Sequence, residues 1–254
     1  MYPIEHPAMA AYEFDAVRLF AEGTFAPDAE ISIGPDATNY LANVLRLRVG
    51  DEFLLFNGRD GEWRARIADL KKRGATLVLA GRTRPQTAPC DLWYLFAPLK
   101  HARLDYMVQK AVEMGASLLQ PVMTRRTQAS RVNLERMHAN AIEAAEQCGI
   151  LSVAEVRPPA ALDDLLAAWP AERTLVFCDE DAPPGGAPTA LAAAPEGPLA
   201  VLVGPEGGFD PIERERLRAL PGVVRLSLGP RILRADTAAV AALALVQAIR
   251  GDWR

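Results

Sequence analysis

Leu202-Val203-Gly204-Pro205-Glu206-Gly207-Gly208-Phe209 and Leu226-Ser227-Leu228-Gly229-Pro230-Arg231-Ile232-Leu233-Arg234-Ala235-Asp236-Thr237-Ala238-Ala239 decide the fold of this chain. Each stretch follows a short apolar run, Leu199 to Val203 and Val223 to Leu228, that reads as a buried strand. Each precedes a helical pattern. Strand, glycine-rich loop and helix, used twice, is how an α/β domain builds a small-molecule pocket at the carboxyl ends of its strands. In the first stretch Pro205 fixes its own φ and starts a turn, while Gly207 and Gly208 admit positive φ and bring bare backbone close to a ligand. Glu206 is the only charge between Leu202 and Phe209. In the second, Gly229-Pro230 turns the chain, and Arg231 and Arg234 lie three apart in otherwise apolar surroundings. Asp236 is expected to cap a helix running through Ile249, because its carboxylate can accept from free N–H groups of the first turn.

Working outward, the 254 residues suggest one large or two medium domains, and half of them are apolar, enough for a sizeable core. No apolar run approaches the ~18 residues of a membrane span, and Met1-Tyr2-Pro3-Ile4-Glu5-His6 has no secretory character. Cys90, Cys148 and Cys178 are far apart and make neither a metal spacing nor a disulfide framework, as expected of a cytoplasmic protein without a metal site. The net charge of −4 argues against a strongly basic nucleic-acid coat but leaves room for a local patch. Of 28 cations only Lys71, Lys72, Lys100 and Lys110 are lysines, a bias read as compositional.

Before the glycine-rich region the chain reads in two parts. Residues 1–16 form an extension. Ala29 to Ile33, Phe53 to Phe56, Glu62 to Leu70 and Thr76 to Arg82 read as strands, with a short helix at Asp36 to Leu45. Asn57-Gly58 and Asp60-Gly61 mark turns, and short strands at this spacing suggest a small barrel. Arg46, Arg48, Arg59, Arg64, Arg66, Lys71, Lys72 and Arg73 make either a solvated face or a surface that tracks phosphates. Thr83 to Pro89 reads as a linker. Strands at Asp91 to Pro98, Ser117 to Val122, Val153 to Val156 and Thr174 to Cys178 then alternate with helices at His101 to Gly115, Leu134 to Cys148 and Leu162 to Trp169. That alternation defines an α/β domain with a mostly parallel sheet. Asp179 to Pro198, rich in Pro, Gly and Ala, reads as a mobile surface loop.

The pair GPEGGF and LGPRILRADTAA resembles the SPOUT superfamily and, more narrowly, the bacterial 16S ribosomal RNA uracil-N3 methyltransferases (ribosomal RNA small subunit methyltransferase E). Arg18-x-Phe20, Val44-Leu45-Arg46, Lys100-x-x-Arg103, the segment Val108 to Gly115 and Ala144 to Gly149 extend the resemblance along the chain. It implies a PUA-like RNA-binding β-barrel over residues 1–84 and, over 88–254, an α/β domain with a deep trefoil knot, a topology that general connection rules disfavour. It implies a homodimer acting on 16S rRNA of the 30S subunit. S-adenosyl-L-methionine is the implied cofactor, gripped by both glycine-rich loops through Leu202, Gly204, Pro205, Glu206, Gly207, Gly208, Leu228, Gly229, Ile232, Leu233, Arg234, Thr237 and Ala238. Arg18, Arg46, Lys100 and Arg103 are the implied RNA contacts.

Methyl transfer from a sulfonium needs alignment and exclusion of water more than covalent machinery. Uracil N3 carries a proton at neutral pH, so a general base or cations that stabilise the uracil anion are required. Arg231 and Arg234 are the candidate cations, and Glu206 is a candidate base alongside Asp236. N3 lies on the Watson–Crick edge, so the target base is unpaired or flipped. Two other readings stand beside this one: a SPOUT methylation of ribose 2′-O, and a non-catalytic RNA-binding protein that keeps the fold. Ile150, where the family has an arginine, and Asp236, where it has a glutamate, are the features that favour the latter.

Overall fold

The computed structural model describes residues 16–253 except His101, Ser130 and Pro184. The extension expected over residues 1–16 thus falls almost entirely outside the described residues. The chain divides into two compact units, Met1–Ala88 with Glu146–Ser152, and Pro89–Ala145 with Val153–Arg254.

In the first unit β1 (Arg18–Phe20), β2 (Glu30–Ile33), β3 (Glu52–Phe56), β4 (Glu62–Lys71) and β5 (Gly74–Arg84) form one mixed sheet in the order β1-β3-β4-β5-β2. Only the β1–β3 pairing is parallel. Alternation decides which face is inside: along β4, Trp63, Ala65 and Ile67 are buried while Arg64 and Arg66 point away from the core. The helix expected at Asp36 to Leu45 is two elements. Helix α1 (Pro35–Asn39) begins on a proline, and a π-helical turn follows at Tyr40–Val44, closed by Leu45 N–H to the Tyr40 carbonyl at 3.0 Å. Leu41 in that turn is fully buried.

Thr83 and Arg84, expected in a linker, belong to β5, and a buried carboxylate is the reason. Glu62 accepts from Arg18 Nε at 2.8 Å, from Arg84 Nε at 3.0 Å and Nη2 at 2.6 Å, and from the Thr83 hydroxyl at 2.8 Å. Arg18, assigned to RNA from the sequence, is only 5% exposed, and its guanidinium donates to Glu62 and to the Ala16 carbonyl. Burial pushes the Glu62 carboxyl up, but the hydrogen bonds from Arg84, Thr83 and Arg18 more than offset this and hold it below the usual range. The same unit contains the end of the long helix at Glu146: its carboxylate accepts the Phe20 N–H at 2.8 Å.

The second unit comprises β6 (Leu92–Phe96), α2 (Ala102–Glu113), β7 (Leu118–Met123), α3 (Leu134–Cys148, its last residues belonging to the first unit), β8 (Glu155–Val156), β9 (Ala160–Ala161), α4 (Leu162–Ala167), β10 (Thr174–Cys178), α5 (Ala187–Ala193), β11 (Leu199–Val203), α6 (Pro211–Ala219), β12 (Val224–Leu226) and α7 (Ala235–Arg250). All its strand pairings are parallel, in the order β12-β10-β11-β6-β7-β8, with β9 beside β7. The five residues of β11 are all buried, as a strand covered on both faces requires. Leu162 of α4 and Leu217 of α6 pack with Leu175, Phe177, Ala200 and Leu202. Helix α7 packs on β11, α2 and α5. The expected loop at Asp179 to Pro198 contains α5, whose Ala187 and Leu191 are buried. Arg250 at the end of α7 donates to the carbonyls of Leu191, Ala194 and Pro195, satisfying groups that a helix end leaves free.

Removing Glu62 leaves two guanidiniums without their shared counter-charge. Glu62→Ala is expected to destabilise the first unit by about 3–5 kcal/mol, read from native-state hydrogen exchange of β4 amides. The sign with pH follows from a depressed carboxyl: Glu62 stabilises fully above its unfolded value near 4.5 and loses that contribution as pH falls through the lower folded value. Glu62→Gln should therefore flatten the acid limb of the stability curve, and an unchanged limb would contradict the assignment.

Candidate cofactor site

The strand order explains the site. β10 lies between β11 and β12, so three loops, not two, meet at the carboxyl ends of adjacent strands. They enclose a cavity of about 370 Å³, within the range of small-molecule sites. The loop after β11 contributes Gly204, Pro205, Glu206, Gly208 and Phe209. The loop after β12 contributes Ser227 to Leu233, followed by Ala235 and Ala238 of α7. The third wall, which sequence reasoning missed, is Phe177 and Cys178 with Asp179, Glu180 and Ala182 after β10, joined by Arg214 from α6. The available signal was the acidic run Asp179-Glu180-Asp181 directly after an apolar strand.

Two close approaches shape the first loop. A Cβ at Gly204 would lie 2.5 Å from the Phe209 ring, so glycine is what allows that ring to fold back beneath the loop. Phe209 in turn meets Phe177 edge-on at 5.2 Å. Gly208 has φ +68°, and a Cβ there would lie 3.1 Å from Glu180 Oε1. Asp210 then starts α6 with a reciprocal cap, its side chain accepting the Ile212 N–H while Glu213 accepts the Asp210 N–H.

Of the residues assigned to the cofactor from sequence, Gly204, Pro205, Glu206, Gly208, Leu228, Gly229, Ile232, Leu233 and Ala238 line the cavity, and so does Arg231. Leu202, Gly207, Arg234 and Thr237 do not. Leu202 is buried in the core beneath. Gly207 faces away, its carbonyl accepting from Arg126 Nη1 at 2.8 Å. Arg234 is the N-cap residue of α7, with extended backbone, its carbonyl accepting the Ala238 N–H at 2.8 Å. The expected cap, Asp236, lies inside the helix and accepts the Thr237 N–H at 2.8 Å. The helix starts two residues earlier than that cap implied, with Ala235 buried at its first position and lining the cavity. Of the remaining RNA candidates, Arg46, Lys100 and Arg103 are exposed.

The charges on the walls differ in state. Asp179 is 2% exposed and wholly committed. It accepts from Arg225 Nε at 2.8 Å, from Arg218 Nε and Nη2 at 3.1 Å each, and from the Asp181 N–H at 3.1 Å. Burial pushes its carboxyl up, and those hydrogen bonds outweigh it and hold the group ionised below the usual range. Arg214 pairs with Glu180 and Asp181. Glu206 and Arg231, by contrast, are exposed at the cavity and form no ion pair or hydrogen bond among the described residues. Burial raises the Cys178 thiol to about 12, so it presents an uncharged wall.

A parallel α/β sheet carrying glycine-rich loops around one cavity, with a separate small mixed sheet, is the arrangement of an RNA methyltransferase. Residues 86–247 match the family model for an RNA methyltransferase domain, and residues 33–80 that for an RNA methyltransferase PUA domain. Ribosomal RNA small subunit methyltransferase E of Rickettsia conorii is 30% identical over 91% of this chain and 94% of its own length. Its namesake in Bacillus subtilis is 28% identical over 87% and 92%. Among solved structures, ribosomal RNA small subunit methyltransferase E from Neisseria gonorrhoeae bound to S-adenosyl methionine superposes with a TM-score of 0.83 at 27% identity, covering 94% of this chain and all of that one. A methyltransferase from Legionella pneumophila, also with bound S-adenosylmethionine, gives 0.78 at 28% identity, covering 92% and 97%. The chain belongs to the ribosomal RNA small subunit methyltransferase E family.

Position on the wall, rather than glycine content, should set sensitivity to substitution. Gly229 lines the cavity at φ +97° with open space around its Cβ position. Gly229→Val puts a branched side chain into that space and strains the backbone by about 1–2 kcal/mol. Affinity for S-adenosylhomocysteine is expected to fall by about tenfold or more. Gly207→Val, with nothing nearer than 3.8 Å and no positive φ, should leave affinity within about twofold. Calorimetric titration compares them, and equal losses would contradict the placement.

Proposed function

We propose that this chain transfers the methyl group of S-adenosylmethionine to N3 of one uridine in 16S ribosomal RNA of the small subunit. The observation that carries the reading is a cavity walled by both glycine-rich loops, in a chain of this family. The cradle fits the cofactor. Gly204, Gly208 and Gly229 leave backbone bare where a side chain would intrude, and Phe177, Val203, Leu228 and Leu233 give apolar surface for a purine. Bound there, S-adenosylmethionine supplies an electrophilic methyl group on a sulfonium.

The chain's own residues then have two tasks. Glu206, without a partner among the described residues, takes the proton from uracil N3, and Arg231, likewise unpaired among them, stabilises the charge that develops on the base. Arg234, off the cavity wall, is assigned to phosphate rather than to the reacting base. Arg46, Lys100 and Arg103 are assigned to the RNA backbone, where they position without reading sequence. We assign the first unit the curled form of a PUA-like barrel, and the second the trefoil knot that the family resemblance implies. The boundaries 1–84 and 88–254 belong to the same reading, as does a cytoplasmic location. A homodimer completes it: Val240, Ala241, Ala244, Leu245 and Ile249 form a half-buried apolar stripe along α7, a surface suited to a second copy.

The test is incubation of the purified protein with 30S subunits and methyl-labelled cofactor, followed by nucleoside mass spectrometry. N3-methyluridine is the expected product, with Glu206→Gln slowing its formation about a hundredfold at saturating cofactor. Label on ribose 2′-O, or binding without transfer, would replace this reading with one of its rivals.

A further inference from the structure

We infer that Glu180 is the ribose-recognising residue of the cavity, with Arg214 as the residue that positions it. The inference rests on the S-adenosylmethionine reading above and deepens it.

The cavity wall carries few charged groups, and they fall into three states. Asp179 has both oxygens occupied and has nothing left to offer a ligand. Glu206 and Arg231 have no ion-pair partner among the described residues and match groups that are themselves charged, or the reacting base. Glu180 is intermediate. One oxygen, Oε1, is held by Arg214, and among the described residues Arg214 is its only partner, so Oε2 remains an open acceptor on a side chain that is 67% exposed. Three carboxylates (Asp179, Glu180, Asp181) here face three guanidiniums (Arg214, Arg218, Arg225). The cluster is therefore neutral as a whole. An acceptor whose charge is already compensated favours a neutral donor over a cation, and the vicinal hydroxyls of the ribose are the neutral O–H donors of the cofactor.

Position agrees with this. The Glu180 carboxylate lies against Gly208, where a Cβ would come within 3.1 Å of Oε1. It thus stands where the first glycine-rich loop meets the segment after β10. Gly208 leaves room for the carboxylate as well as for the turn, and Arg214 fixes its direction through a guanidinium shared with Asp181. A hydroxyl donating to such a carboxylate forms a charge-assisted bond, stronger than one between neutral groups.

The experiment is calorimetric titration of wild type, Glu180→Ala and Glu180→Gln with S-adenosylhomocysteine and its 2′-deoxy and 3′-deoxy counterparts. Wild type is expected to bind at least one deoxy compound about ten- to a hundredfold more weakly than the parent. In Glu180→Ala the parent should weaken by a similar factor, and the penalty for the missing hydroxyl should collapse to about twofold or less. Glu180→Gln, which keeps an acceptor but loses its charge, should fall between. A deoxy penalty that survives unchanged in Glu180→Ala, or no penalty in wild type, overturns the assignment while leaving the cofactor reading intact. Failure of wild type to bind the parent compound overturns the cofactor reading itself.

Discussion

The site depends on one buried carboxylate. Asp179 directly follows β10, the strand that lies between the two strands carrying the glycine-rich loops, and it binds Arg225 of β12 and Arg218 of α6. A buried charge is tolerated only when its partners surround it. Here the partners come from β12 and α6. Asp179 thereby ties the segment after β10 to α6 and β12, whose arginines lie 39 and 46 residues further along the chain, in one rim. The Phe209 ring does the corresponding work on the apolar side, folded against Gly204 and edge-on to Phe177.

Much of this was legible from residues alone, and what escaped did so for identifiable physical reasons. Apolar runs bounded by turn residues located β10 and β11 to the residue, because burial on both faces leaves a continuous hydrophobic signature. The glycines and prolines located the loops. Strand order was invisible: hydrophobic pattern records that β12 is buried but not that β10, rather than β11, is its neighbour. The third wall was missed for that reason. Composition misled at Asp179 to Pro198, where Ala, Gly and Pro read as a loop although Ala187 and Leu191 form the buried side of α5. Arg18 shows the limit for charges, since nothing local distinguishes an arginine destined for a buried Glu62 from one that meets phosphate.

The distribution of charge at the cavity separates structural from chemical roles. Groups that build the rim are saturated with partners, as Asp179 is. Glu206 and Arg231, the groups proposed to act on the base, are left without them among the described residues. Polar groups held unsatisfied at a ligand site are available to bind at the cost of no internal contact, while saturated ones give the rigidity that a methyl transfer requires of its partners' alignment. The off-wall placement of Gly207, Arg234 and Thr237 shows the same economy: within each motif, some residues shape the turn or start the helix while their neighbours line the cavity.

The most direct test is calorimetric titration of the wild-type protein with S-adenosylmethionine. The structure predicts saturable binding to one site per chain, in the cavity at the ends of β10, β11 and β12. A folded protein that takes up no S-adenosylmethionine would contradict the claim that these three loops form a cofactor site.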